Sequence, residues 1–424
     1  MTPTGEQQVL SPSRHSLRAL DWLNFFLSDV QTGVGPFLAA ALTAQGWNPA
    51  QIGAFLTLGG LLGITLQTPA GAIVDSTRHK RALVLAVILA IVTASLLLAF
   101  GSGLPSVMTA QLILGAVGPF MDPALTAITL GLVGKERFDA RLGRNHSFDS
   151  AGNVCAALLM GWVGWRFGIK AIFFTAPLLS IPATLALVAI PAREIDYWQA
   201  RGAHRETAGA GGISKISVLA HDPVLLAFAG AAFLFYFADA AMLPQLGEML
   251  ARGRARAAAP FMSAVITVTQ VVIALTAAAV GKWSARWGPR PLLLIGFAAL
   301  PVRGVLYTLT NSVPLLVAIQ VLDGVVNSIF GVASAVLIAD RTRGSGHFNL
   351  AMGAVGTVIS IGVALSNSVA GLITQHAGFQ ASFLTLAGIA LLAFLCLLVF
   401  VPNSSRTASV TRGQAIGERR TLSR

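Results

Sequence analysis

The chain has 424 residues, of which 55% are hydrophobic and only 11% are charged. Soluble domains carry about 25% charged residues, so this composition excludes a protein that faces mainly water. The net charge of +12 is compatible with nucleic-acid binding, but the basic residues are confined to particular loops, as described below.

Apolar stretches of membrane-spanning length recur along the whole chain. A helix of about 20 residues crosses a bilayer, and twelve such helices leave room only for short loops and two tails. We therefore predict an all-α membrane protein with twelve transmembrane helices in two six-helix bundles. The predicted spans are residues 19–43, 50–74, 82–102, 106–133, 143–166, 169–192, 223–250, 258–281, 291–311, 313–338, 348–374 and 379–401.

Lysine and arginine fall mainly on one side of these spans. With the N-terminus inside, the inner segments hold 23 of the 29 basic residues, the outer loops hold 5, and Arg303 lies within a span. This bias follows the positive-inside rule and predicts that both termini are cytoplasmic. It also accounts for the charge without nucleic acid, and we expect a multi-pass protein of a cell membrane, the bacterial inner membrane.

A polar linker divides the spans six and six. Its run of glycines at 209–212 is typical of a flexible connection. We expect a monomer whose partners are the lipid bilayer and a small solute. The predicted organisation is a cytoplasmic tail (1–18), a first bundle (19–192), the linker (193–222), a second bundle (223–402) and a cytoplasmic tail (403–424).

The two halves repeat one another with offsets of 204 to 210 residues. The first and seventh spans share a Phe-rich run followed by Asp29 or Asp239. Four matches in the same order predict two parallel six-helix halves, the pattern of many secondary transporters. The other three matches are Gln111-x-x-x-Gly115 with Gln320-x-x-x-Gly324, Asn145-x6-Gly152 with Asn349-x6-Gly356, and the loop Gly71 to Arg81 with the loop Gly281 to Arg290.

The loops after the second and eighth spans resemble the loop signature of the major facilitator superfamily. The first copy matches at Gly71, Asp75, Lys80 and Arg81, with Arg78 in place of the inner glycine. The second copy keeps Gly281, Arg286, Gly288 and Arg290, with Ala285 in place of the aspartate. The resemblance implies two rocking halves that this loop latches in one access state. The alternative is that residues 78–81 serve only as a positive-inside stop.

Other motifs bear on the branch of this superfamily. The fourth span has Gln111 where an arginine is usual, and the fifth lacks the Gly-Pro-Gly-Gly signature of drug antiporters. Both departures argue against a multidrug proton antiporter. An arginine on the ninth span (Arg303) near an acid on the tenth (Asp323) is similar to lactose permease and its proton:sugar symporter relatives.

In this superfamily the first, fourth, seventh and tenth helices line the cavity, and each carries one aspartate here: Asp29, Asp122, Asp239 and Asp323. An ionisable side chain within a membrane is costly and by default marks a pathway or site. A carboxylate in a low dielectric can load and release a proton in the physiological range. We therefore expect these acids to carry protons or substrate.

The neighbours of these acids extend the candidate site. Arg303 and Asp323 lie at similar depth on consecutive antiparallel spans, which predicts an ion pair with either a coupling or a purely structural role. Asn24 and Gln31 accompany Asp29, and Tyr236 accompanies Asp239. Two further interpretations concern the first half: Asp122 can instead bond backbone freed by Pro123, and Asn145, Arg144 and Asp149 are assigned to an inner gate or charge network.

Together these patterns predict a secondary active transporter that moves a small organic solute, coupled to protons, by alternating access. Uptake by symport is favoured, and the alternative is proton-driven export of a drug or metabolite. The sequence contains neither His-Glu-x-x-His nor the phosphate-binding loop Gly-x4-Gly-Lys-Ser/Thr of ATP-driven pumps. We therefore predict no enzymatic activity, no cofactor and no metal site.

Overall fold

The computed structural model describes residues 12–196 apart from 33 and 102, and residues 200, 222–252, 255–342 and 348–402. Within these ranges the chain is almost wholly helical and contains no strand. This part of the chain agrees with the predicted all-α class.

Among the described residues before 200, the chain forms seven α-helices and two 3-10 helices, the second of which is Ala192–Glu194 at the end of the first predicted bundle. The first predicted span corresponds to two helices on either side of residue 33, and the sixth begins with the 3-10 helix Ile169–Phe174. The α-helices are α1 (Arg14–Thr32), α2 (Val34–Ala44), α3 (Pro49–Ser76), α4 (Lys80–Phe100), α5 (Leu104–Val133), α6 (Lys135–Phe167) and α7 (Thr175–Val188).

The second predicted half contains six α-helices among its described residues. The seventh predicted span forms two of them, separated by Ala241, whose N–H bonds the carbonyl of Asp239. The helices are α8 (Pro223–Ala240), α9 (Met242–Ala251), α10 (Ala255–Trp287), α11 (Pro289–Leu309), α12 (Val313–Arg341) and α13 (Phe348–Phe400). Helix α13 holds the last two predicted spans.

Nine stretches of the described residues are long and apolar enough to span a membrane. One of them, Ala351–Phe400, contains two predicted spans on either side of Gly378. The predicted first and fifth spans are not among the nine. The first is divided between α1 and α2, and α6 mixes charged residues with its apolar ones.

The described residues form two compact units. The first consists of the described parts of Met1–Gly211 with Pro244–Thr267, and the second of the described parts of Gly212–Leu243 with Val268–Arg424. The end of the seventh span and the start of the eighth therefore belong to the first unit. Small residues bring the start of α10 close to α6: a Cβ added at Gly164 would lie 2.3 Å from the Cβ of Ala259.

Glycines make the same close contact in both units. A Cβ on Gly115 of α5 would lie 2.6 Å from the carbonyl oxygen of Gly59, and one on Gly324 of α12 would lie 2.8 Å from that of Thr269. The glycines are 209 residues apart and their carbonyl partners 210. Only a residue without a side chain lets two helix backbones approach this closely. The repeated packing supports the predicted match of the fourth and tenth spans.

A second pair of glycines corrects the predicted match of the fifth and eleventh spans. A Cβ on Gly152 would lie 2.0 Å from the carbonyl oxygen of Phe25, and one on Gly362 would lie 2.7 Å from that of Phe233. The predicted partner, Gly356, has open space within 4 Å. The glycines in contact are therefore 210 residues apart, not the predicted 204, and their carbonyl partners are 208 apart. The shared Asn-x6-Gly motif pointed to Gly356, whereas the contact between the helices identifies Gly362.

The connection inside each last helix pair also repeats. Gly168 follows α6 with φ 93°, and Gly378 interrupts α13 with φ 84°. These two glycines are again 210 residues apart. Both occupy a left-handed conformation that side chains with a Cβ disfavour, so glycine is required at both turns.

Candidate functional site

Three charged side chains meet inside the second unit. Arg303 on α11 forms ion pairs with Asp239 on α8 and Asp323 on α12. The arginine side chain is 2% exposed and each aspartate side chain 14%. The predicted Arg303–Asp323 pair is therefore present, and Asp239 joins it, which was not predicted. We call these three residues the acid–arginine cluster.

The end of α8 places Asp239 in this cluster. Asp239 lies in the last turn of the helix, and α9 begins after Ala241. Met242, the first residue of α9, also contacts the arginine, since Nη2 of Arg303 lies 3.2 Å from its sulfur. The junction between the two helices is thus bound to α11 through one guanidinium group.

The two carboxylates of the cluster have different surroundings. Asp323 accepts hydrogen bonds from Arg303, from the hydroxyl of Thr269 at 3.0 Å and from the amide of Asn327 at 3.2 Å. Among the described contacts, the carboxylate of Asp239 accepts from Arg303 alone. Asp323 therefore has two side-chain donors besides Arg303, whereas the carboxylate of Asp239 has none among the described contacts.

Aromatic side chains surround the cluster. The ring of Tyr307 lies 5.8 Å from the guanidinium carbon of Arg303, and its hydroxyl accepts a hydrogen bond from Gln320 at 2.6 Å. The predicted site residue Tyr236 packs edge-on against Phe330, with 4.8 Å between ring centroids. Nε of Arg303 is buried without a hydrogen bond in the described part of the chain. The cluster is therefore tightly enclosed.

The first unit contains a charge network that the sequence analysis missed in part. Asp21 on α1 binds Arg141 at 2.7 Å and Arg144 at 2.8 Å, both on α6. Arg141 also donates to Asn145, which in turn donates to the hydroxyl of Thr129. The predicted assignment of Arg144 and Asn145 to a charge network agrees with these contacts. Asp21 lies within the first predicted span. A negative charge there, opposite in sign to Arg141 and Arg144, was the signal that could have identified it as their partner.

The remaining predicted acids lie apart from the acid–arginine cluster. Asp122 is exposed on α5 of the first unit and interacts electrostatically with Asp149, which also faces His146. Asp29 belongs to α1, but its side chain and that of Gln31 lie outside the described residues. Asn24 donates to the carbonyl of Leu20 in its own helix. The predicted ring of four acids thus stays a prediction, and the structure brings two of them together.

A buried acid on α9 was also overlooked in the sequence. Glu248 is 3% exposed, and its Oε2 makes no hydrogen bond within the described part of the chain. It lies inside the seventh predicted span, so its charge alone was a usable signal.

Two arginines of the predicted gating loops make equivalent structural contacts. Arg81 donates to the carbonyls of Leu187 and Val188 at 3.2 and 3.1 Å, at the end of α7. Arg290 donates to the carbonyls of Leu398 and Val401 at the end of α13. The last carbonyls of a helix lack partners within the helix, and cations there are favourable. Arg81 therefore caps the end of the sixth predicted span, and Arg290 caps the end of the twelfth.

Some of the other predicted gating-loop residues make structural contacts, and two of the glycines face open space. Lys80 is buried and donates to the carbonyl of Val74, near the end of α3. Gly288 has φ 83° between α10 and α11, which requires glycine. A Cβ on Gly71 or Gly281 would meet open space. The side chain of Asp75 lies outside the described residues. The role of the two loops as a latch, in which Arg78 and Arg286 take part, therefore stays a prediction.

An ion pair at the start of α8 stabilises this helix end. Asp222 caps the helix by accepting from the N–H groups of Val224 and Leu225, and it binds Arg341 at 2.8 Å. Partial burial acts to raise the pKa of Asp222, but the hydrogen bonds from Arg341 and the backbone outweigh it, so the pKa lies below its ordinary value. Asp222 is therefore ionised at neutral pH.

The sequence model of the Major Facilitator Superfamily matches residues 22–266 and 255–422. The chain belongs to the major facilitator superfamily. An uncharacterised MFS-type transporter of Mycobacterium tuberculosis is 41% identical over 389 residues, covering 91% of this chain and 93% of the relative. Membership makes this chain a multi-pass membrane transporter of a small solute, not an enzyme.

Two further comparisons concern individual MFS proteins. The tetracenomycin C resistance and export protein of Streptomyces glaucescens is 28% identical over 134 residues, covering 32% of this chain and 25% of the exporter. The nucleoside transporter NupG has a TM-score of 0.74 at 14% identity, with 92% and 99% of the two chains covered. A POT family transporter crystallised with 5-aminolevulinic acid has a TM-score of 0.71 at 13% identity, with 93% and 99% covered. The two solved structures share the fold, and the lactose permease branch rests on the sequence motif alone.

Proposed function

We propose that this MFS transporter couples the movement of a small organic solute to protons, and that Asp239 carries the proton. The observation that supports this proposal is the acid–arginine cluster, in which two enclosed carboxylates share one guanidinium group. The site roles of Asp29 and Asp122 remain secondary parts of the same proposal.

The charge of the cluster favours binding of one proton. Two ionised aspartates and one arginine leave a surplus of one negative charge. An unbalanced charge in a low-dielectric interior is costly, whereas one added proton makes the cluster neutral. The cluster therefore has two states that differ by one proton, as coupling to a proton gradient requires.

The unequal hydrogen bonding favours Asp239 as the carboxylate that takes the proton. Asp323 keeps the donors Thr269 and Asn327 in addition to Arg303. The carboxylate of Asp239 accepts from Arg303 alone among the described contacts, so its ionised form is less stabilised. Protonation of Asp239 replaces its ion pair with Arg303 by a weaker hydrogen bond. The junction between α8 and α9 is then held less firmly to α11, which links the proton to a helix movement.

The same charge surplus bears on the class of solute. A cationic or neutral polar solute can donate hydrogen bonds to Asp323 and to the neighbouring polar groups, whereas a free anion is repelled by the carboxylates. We therefore propose a cationic or neutral solute.

Export is a second candidate function, favoured by a specific observation. The match to the tetracenomycin C resistance and export protein favours export. The missing Gly-Pro-Gly-Gly signature and the arginine on the ninth span favour uptake. Solute and protons move in the same direction in symport and in opposite directions in antiport, so the sign of a solute-evoked pH change separates the two.

The test measures proton movement in vesicles that contain the full chain. A nucleoside, 5-aminolevulinic acid and tetracenomycin C, which the similar proteins handle or bind by name, are the first probes. A probe that evokes a pH change in the wild type should evoke none with Asp239→Asn. Asp222→Asn is the matched control, because it neutralises an aspartate at the start of the same helix. Undiminished proton movement with Asp239→Asn would contradict the proposal.

A further inference from the structure

A cavity of about 330 Å³ lies between the start of α4 and the end of α7 in the first unit. Its lining combines four consecutive basic residues, Arg78, His79, Lys80 and Arg81, with apolar residues that include Leu85 and Leu187. No acidic side chain of the described residues lines it. The cavity therefore combines concentrated positive charge with an apolar surface.

We propose that this cavity binds the phosphate group of an anionic phospholipid, with the acyl chains along α4 and α7. Lys80 and Arg81 donate hydrogen bonds to backbone carbonyls, which hold both side chains at the cavity. Arg78 and His79 are exposed and can reach a headgroup. Basic residues near a membrane surface each contribute about 1 kcal/mol to the attraction of anionic lipid.

The surroundings of the cavity favour a lipid over a soluble anion. The cavity is at the end of the helices that the positive-inside count predicts to be cytoplasmic, next to the anionic inner leaflet. Beyond it, Leu89 of α4 and Ile181 and Leu185 of α7 are 56%, 60% and 66% exposed. These side chains extend the apolar wall along the face where acyl chains would lie. Free phosphate would gain nothing from that wall, whereas a phospholipid uses both surfaces.

The test measures lipid retention and is independent of transport. The purified full chain in detergent is titrated with dioleoyl phosphatidylglycerol or dioleoyl phosphatidylcholine, and bound lipid is counted by native mass spectrometry. The wild type should retain phosphatidylglycerol in preference to phosphatidylcholine. Arg78→Gln should weaken that retention about fivefold, which is the factor that corresponds to about 1 kcal/mol. Arg78→Lys keeps the charge and should retain the lipid.

Two further arms identify the source of the binding. Arg286→Gln removes an exposed arginine from the second copy of the loop and should leave retention unchanged. Inorganic phosphate in excess should not displace phosphatidylglycerol from the wild type. Equal loss in Arg78→Gln and Arg286→Gln, equal retention of the two lipids, or displacement by inorganic phosphate would overturn the proposal. These outcomes leave the proton proposal untouched, because Asp239 belongs to the second unit.

Discussion

Asp239 and Asp323 lie 84 residues apart in the sequence and bind the same guanidinium group, that of Arg303. Three helices of the second unit are therefore connected by charge inside an apolar environment. Removing any one of the three side chains leaves the cluster with a different set of unpaired charges, and the effect of each removal on stability can be measured separately.

The arginine should be the member that the fold tolerates losing least. Arg303→Gln leaves two enclosed carboxylates without a cation and should cost about 3–5 kcal/mol of unfolding free energy. Asp323→Asn leaves Arg303 paired with Asp239 and should cost less. Thermal unfolding in detergent measures both. The double variant Arg303→Gln with Asp323→Asn should recover part of the loss, and no recovery would rule out mutual neutralisation.

The charge network of the first unit should show a similar asymmetry. Asp21→Asn leaves Arg141, 7% exposed at its side chain, with a buried unpaired charge and should cost about 3–5 kcal/mol. Arg144→Gln should cost much less, because that side chain is 57% exposed and Asp21 keeps its ion pair with Arg141. Thermal unfolding of the two variants under the same conditions checks the order, and equal losses would contradict it.

Substituting the contact glycines tests the corrected repeat. Gly362→Ala places a Cβ 2.7 Å from the carbonyl oxygen of Phe233, so the helices must separate, at a cost of about 1–3 kcal/mol. Gly356→Ala adds the same methyl group to open space and should be neutral or slightly stabilising. Unfolding temperatures of the two variants measure the difference. If Gly356→Ala is the more damaging, the offset of 210 residues is wrong.

The helix caps provide a test of the loop arginines. Arg81→Gln removes charge-assisted hydrogen bonds to the end of α7 and should cost about 1.5–3 kcal/mol. Arg81→Lys should restore only part of this, because an ammonium group does not reproduce the two-pronged geometry of guanidinium. Arg286→Gln is the control in the second loop. An Arg81→Gln variant as stable as the wild type would show that the cap adds no stability.

The Asp222–Arg341 pair gives a pH-dependent prediction. The pKa of Asp222 is lower in the folded chain than its ordinary value, so the pair stabilises the fold above that ordinary value, and this stability is lost as pH falls through the folded pKa. Asp222→Asn keeps the helix cap and should cost under about 1 kcal/mol at neutral pH, since the pair is partly exposed. Unfolding followed from neutral to acidic pH should show this difference vanish. A difference that grows on acidification would contradict the assignment.

Much of the architecture can be predicted from patterns in the sequence. Apolar length and the placement of basic residues predict helices and orientation because the bilayer imposes both. The Arg303–Asp323 pair was predictable, since two opposite charges at one depth have few other partners. The third member was not, because the angle at which the end of α8 meets α11 depends on the backbone around Ala241. Likewise, Gly362 could be distinguished from Gly356 only through the carbonyl that each one faces.

The capping arginines show a different limit of sequence reading. Arg81 and Arg290 belong to basic clusters whose composition is equally suited to orienting a helix or to latching a transporter. Their carbonyl partners lie more than 100 residues away in the sequence, and a carbonyl belongs to every residue, so no side-chain pattern marks it.

The glycine contacts and helix caps repeat at about 210 residues, whereas the arginine of the acid–arginine cluster does not. The residue 210 positions before Arg303 is Thr93, whose hydroxyl donates to the carbonyl of Leu89 in its own helix. The duplicated helix packing thus accompanies a buried arginine in the second half, where the first half has a threonine. An arginine installed at position 93 would show whether solute transport tolerates a second buried cation.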